Sequence, residues 1–244
     1  MSCWAVALEG HQFDVEDARV LFGDQREGIQ IASINISPDR RPTVLMADDL
    51  DDLNEPAQVL DAAQRIVDHL NGILFIMDSK RQPLSAGAAY RRMPDGNWDR
   101  GTTVLGAALF ENRSQVHFAA VALSSDGTPI PSPPMPQVTW LREAGLDDVV
   151  GDVLTYLRGT PDWFDLYKAF ERMRDDINRR LGGQHRTHEI GWPDFDDFTE
   201  AANVHRHSPA KWGRYDPSNA PMSLNEARGF VQKLVQTWLD WRYL

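Results

Sequence analysis

The chain has a single cysteine, Cys3, in 244 residues. An internal disulfide and any multi-cysteine metal knuckle are therefore excluded, and a reducing cytoplasm is the expected compartment. Long apolar runs are also missing: no window approaches the roughly 18 to 20 residues that a membrane span needs. Positive charge is in short supply, with 25 Lys and Arg against 36 Asp and Glu and a net charge of −11. General nucleic-acid binding, which rests on basic groups neutralising phosphates, is not expected of such a chain. No internal repeat of solenoid period is present. What remains, 42% apolar and 25% charged, is the profile of a globular protein with one generous core or two modest ones.

Proline marks the clearest boundary. Five of the 15 prolines fall within Pro129–Pro136, and proline fixes φ and removes a backbone donor. The expectation is an α+β chain in three parts: a mixed α/β sheet domain at 1–123, a Pro-rich linker at 124–137 and a helical bundle at 138–244. Charge follows the same division, since 19 of the 36 acidic and 11 of the 25 basic side chains precede residue 129.

The first part reads as a mostly antiparallel sheet with one or two helices. Trp4, Val6 and Leu8 alternate as in a strand, and Asp14 offers an N-cap for a helix to Leu21. Ile29 and Ile31 alternate, then the pattern slips by one to Ile34 and Ile36, which predicts a bulge or a second register. Thr43–Met46 reads as a further strand. A helix from Asn54 carries Val59, Leu60, Ala63, Ile66, Val67 and Leu70 inward and should end at Asn71–Gly72. Strands follow at Ile73–Met77, Leu84–Met93, Trp98–Phe110 and Val116–Leu123. Tight-turn chemistry at Pro94–Asp95–Gly96–Asn97 and Glu111–Asn112–Arg113–Ser114 makes neighbours antiparallel.

The second part reads as a four-helix bundle. Leu146–Leu157 is one helix. Thr160 and Pro161 open the next, with Trp163, Tyr167, Phe170, Ile177 and Leu181 on one stripe. Pro193 opens a third, with Phe198 and Ala202 inward. Ser223–Leu224–Asn225–Glu226 is a capping box for a last helix carrying Phe230, Leu234, Trp238 and Trp241.

Chemistry is sparse. His185, His188, His205 and His207 with Glu189 give H-x-x-H-E and H-x-H patterns, yet no helical spacing puts two ligands on one face, so no metal site and no cofactor are expected. Arg179 and Arg180 precede His185 at the Arg-x4–6-His spacing of the HEPN-type ribonucleases, which this half resembles. That resemblance implies a phosphate-binding arginine and an acid–base histidine, drawn from Arg179, Arg180, His185, Arg206 and His207. A second surface, Asn203, Arg206, His207, Trp212 and Tyr215, has the composition of a binding hot spot. In it, Arg206 either pairs with Asp196, Asp197 or Glu200, or faces a concavity with Trp212 at its edge. Trp192 either anchors an interface or folds back over the bundle end.

Taken together, Leu8–Glu9–Gly10, Asp162–Trp163–Phe164–Asp165–Leu166–Tyr167–Lys168, Phe198–Asn203 and Pro221–Arg228 resemble a broad family of bacterial proteins of uncharacterised activity. The resemblance implies a bacterial cytosolic protein and assigns no catalytic residue. The leading expectation is thus a non-enzymatic protein that binds another protein, an adapter, regulator or immunity-like chain. The alternative is a HEPN-like, metal-independent ribonuclease.

Overall fold

The computed structural model describes residues 3–23, 28–102, 136–206 and 220–243. The fold is α+β. Its elements run β1 (Trp4–Glu9), α1 (Gln12–Phe22), β2 (Ile29–Ser33), β3 (Thr43–Ala47), α2 (Asp48–Asp51), α3 (Pro56–Met77), β4 (Ser85–Arg92), β5 (Trp98–Thr102), α4 (Pro136–Leu146), α5 (Asp148–Tyr156), α6 (Trp163–Arg180), a 3-10 turn (Thr187–Ile190), α7 (Asp196–Arg206) and α8 (Leu224–Tyr243). They fall into two interleaved compact units, Met1–Arg65 with Leu84–Arg142, and Ile66–Pro83 with Glu143–Leu244. The Glu111–Ser114 turn, the Val116–Leu123 strand and positions 124–135 of the expected linker lie outside the described residues.

In the first unit the strands form one antiparallel sheet in the order β2-β3-β1-β4-β5. The turn between β4 and β5 is the expected one. Gly96 takes φ +85, and the Asp95 carboxylate accepts from the Asn97 backbone at 2.9 Å. Those hydrogen bonds from Asn97 hold the Asp95 carboxyl below its ordinary range.

The isoleucine slip has a different cause from a bulge. Register runs unbroken from Ile29↔Ala47 to Ser33↔Thr43, and Ile34 and Ile36 still donate to Pro42 and Arg40 across the same hairpin. Ile31 is buried on one face, whereas Ile34 and Ile36 join Ala5, Ala7, Val44, Ala88 and Tyr90 on the other. The apolar residues change sides because both faces of the sheet are covered.

In the second unit, the segment expected as a strand at Ile73–Met77 is the end of α3, which does not stop at Gly72. A β-carbon on Gly72 would come within 2.8 Å of Leu154 Cα. The glycine thus permits α3 and α5 to cross backbone to backbone and does not act as a helix stop. The four expected helices are present as α5, α6, α7 and α8. At α8 the capping box forms as expected, with Ser223 N donating to Glu226 Oε2 at 2.8 Å and Glu226 N to Ser223 Oγ at 3.3 Å.

Candidate functional site

α6 sets the site. Its N-cap is Asp162 and not Thr160, because Asp162 and Asp165 satisfy each other's backbone donors. Asp162 Oδ1 accepts from Phe164 N at 2.8 Å and Asp165 N at 3.0 Å, and Asp165 Oδ2 accepts from Asp162 N at 3.2 Å. Partial burial, aided by the charge of Asp162, raises the Asp165 carboxyl against these hydrogen bonds.

From that cap the helix builds two faces. Inward, Leu166, Ala169, Phe170, Met173, Asp176 and Ile177 are buried. Phe170 is the hub of an aromatic cluster, 5.0 Å from Phe195, 5.4 Å from Phe198 and 5.8 Å from Trp192 between ring centroids. Trp192 is 5% exposed and donates its Nε1 to Leu234 O, so this tryptophan folds back into the bundle. Trp163, Tyr167 and Phe230, expected in the core, are half-buried.

Beside that face, three aromatic rings of α6 each carry a nitrogen base or cation; Trp163 and Tyr167 are half-buried against Phe198, and Phe164 is exposed. His205 lies parallel to Trp163, 4.8 Å between centroids with 7° between planes. Lys168 Nζ stands 5.8 Å from the centroid of Phe164, which is 53% exposed. The Arg206 guanidinium carbon sits 3.5 Å over Tyr167. His205 and Arg206 close α7, where a helix's unpaired carbonyls favour cations. Asn203, half-buried, lies one turn before them. His207, Trp212 and Tyr215 lie outside the described residues.

The other candidate set, at the far end of α6, is organised around a carboxylate. Asp176 is fully buried and accepts from Arg179 Nη2 at 2.6 Å, Arg180 Nε at 2.9 Å, Trp238 Nε1 at 3.1 Å and Arg242 Nη1 at 3.2 Å. Arg242, 3% exposed, also donates to Asp147, whose other oxygen caps α5 through Val149 N at 2.9 Å. Burial opposes ionisation of Asp147, but the hydrogen bond and charge of Arg242 outweigh it and hold the carboxyl low. Arg179 and Arg180 are thus shared by a carboxylate that ties α6 to α8.

His185 follows Gly182 and Gly183 with φ 59, in the left-handed region, and is exposed. Its carbonyl lies 3.1 Å from His188 Nδ1. Arg186 pairs with Glu189, with Nη2 to Oε2 at 2.9 Å, and this hydrogen bond holds the Glu189 carboxyl low. Among the described residues no three His, Cys, Asp or Glu side chains are grouped to hold a metal ion. Nor is any helix among them long and apolar enough to cross a membrane.

The sequence marks Arg206 as a candidate but does not reveal the row of ring-and-cation pairs. The legible part of the signal is Phe164 and Lys168 at i, i+4, which share a helix face. The partners His205 and Arg206 arrive from another helix. No protein-family model, curated protein or solved structure matches the chain.

Proposed function

We propose that this chain is a non-catalytic protein-binding protein of adapter or regulator type, working in a bacterial cytoplasm. Its docking face is the outward side of α6 with the end of α7. The observation that carries this reading is the aromatic row of Trp163, Phe164 and Tyr167, with Phe164 exposed and the other two half-buried, against which His205, Lys168 and Arg206 stand. Aromatic side chains and arginine dominate the binding energy of protein interfaces, where lysine and glutamate contribute little. Phe164, more than half exposed, is surplus to the interior, whose hub is Phe170. The ribonuclease alternative gains less support: Arg179 and Arg180 share the buried Asp176 carboxylate, which competes with any phosphate for their donors.

The test uses the full-length chain, chemically cross-linked in its host and recovered by a tag. Phe164→Ser with His205→Ala should remove a discrete partner while the melting temperature stays within a few degrees. Arg179→Ala with His185→Ala should leave that partner in place. RNA cleavage by the purified protein, lost in the Arg179 and His185 double variant, contradicts the reading and makes the chain a nuclease.

A further inference from the structure

Resting on that protein-binding reading, the charges on the same face specify the partner's chemistry. Ten arginines of the second unit are described, in a chain where acids outnumber bases by 36 to 25, and Arg81 among them has an interaction of its own. Seven of them have a carboxylate: Arg158 with Asp68, Arg172 with Asp152, Arg174 with Asp175, Arg186 with Glu189, and Arg179, Arg180 and Arg242 around Asp176 and Asp147. Arg228 donates to the Pro161 carbonyl and to Asn225. Of these ten, Arg206 has only a ring beneath it, and its buried Nε, like those of Arg81, Arg172 and Arg242, finds no acceptor. Its Nη groups take no partner among the described residues either. A guanidinium held over an aromatic ring can still offer its Nη N–H groups to a planar anion, and carboxylate fits that fork with two parallel hydrogen bonds.

The surroundings narrow the anion. Lys168 is bonded to Glu171 at 3.0 Å, and Asp162 and Asp165 close the capping box, so the other charges of the face are already engaged. One cation is open. A polyanion such as RNA or an anionic membrane would meet those three acids and a net charge of −11, and gain one contact. A chain-terminal carboxylate is captured by converging backbone N–H groups, whereas the end of α7 presents carbonyls. We infer that Arg206 is the anchor for one glutamate or aspartate side chain of a partner protein, set beside an apolar residue that covers Phe164 and Trp163.

Two blocked tripeptide amides test this on the ¹⁵N-labelled full-length chain: acetyl-leucyl-glutamyl-leucine and its glutaminyl counterpart. The expected result is a shift of the Trp163 indole and Arg206 Nε–H signals, with the glutamyl peptide binding about tenfold more tightly. Equal affinities in the unmodified protein, or shifts confined to other residues, overturn the inference without any variant. In Arg206→Gln, folded by circular dichroism, the two peptides should become equivalent; a preference that persists overturns it as well. A cross-linked partner lost on Phe164→Ser but indifferent to Arg206→Gln leaves the protein-binding reading standing and removes this one. Indifference to both removes both.

Discussion

The guanidinium of Arg206 lies 3.5 Å over the ring of Tyr167, and no carboxylate among the described residues pairs with it. This relationship joins the end of α7 to the outer face of α6. It also contrasts, among the described residues of the same unit, the arginines held by the interior network of Asp176 with one that lies over an aromatic ring.

The aromatic hub gives the simplest stability prediction. Phe170→Ala removes a fully buried ring packed on Trp192, Phe195 and Phe198. Unfolding in denaturant should show a loss of about 3 to 5 kcal/mol. A change below about 1 kcal/mol would place the core elsewhere.

Asp176 should be costly to remove alone and much less so together with its partner. Asp176→Ala leaves Arg242 buried at 3% exposure with half its carboxylates, and a loss of about 3 to 5 kcal/mol is expected. Arg242→Met combined with Asp176→Leu should lose clearly less than the two single changes added, since the charges are coupled. Additive losses in a double-mutant cycle would show that they do not interact.

Asp147 predicts a pH dependence of defined sign. Its carboxyl is held below the ordinary 3.8 in the folded chain. The stability it contributes is therefore complete above that value and is lost as pH falls through the lower, folded one. Asp147→Asn keeps an N-cap side chain and deletes the charge. The stability gap between the two proteins should be constant from pH 7 to about 5 and close below pH 3.8. A gap that widens in acid would reverse the assignment.

Two glycines in helices should respond in opposite directions. Gly72→Ala drives a β-carbon against Leu154 and should cost about 1 to 3 kcal/mol. Gly229→Ala, in α8 with no atom within 4 Å of the new carbon, should gain about 1 kcal/mol from helix propensity. Thermal melts of the two variants decide it.

That contrast explains how much of the fold could be read from the sequence. Local chemistry is sufficient where it acts locally: the Ser223–Glu226 box, the Asp95–Gly96 turn, and Phe170 and Ile177 on the inward stripe of α6, whose other expected members Trp163, Tyr167 and Leu181 are half-buried. Asn71–Gly72 has the local chemistry of a helix end, and only the approach of Leu154, 82 positions away, shows otherwise. The same holds for α4, whose first residue, Pro136, ends a proline run that reads as connector although proline is well suited to a helix's first turn.

The site was half legible for the same reason. Arg206 is a candidate on sequence, but two of the acids expected to pair with it, Asp196 and Asp197, begin α7, and the third, Glu200, stands six residues before it. Six to ten residues at about 1.5 Å each set the three roughly 9 to 15 Å away along the axis. Its actual partner, Tyr167, comes from another helix, a relation that no periodicity within α7 can reveal.

The most direct measurement is site-specific photo-cross-linking in the host, with a photoreactive amino acid in place of Phe164 and, as a control, of Val20, which is 60% exposed on α1 in the other unit. The account predicts one discrete cross-linked protein from position 164, its yield cut about tenfold by Arg206→Gln, and none from position 20. Identical cross-linking patterns from the two positions, or none from position 164, would contradict it.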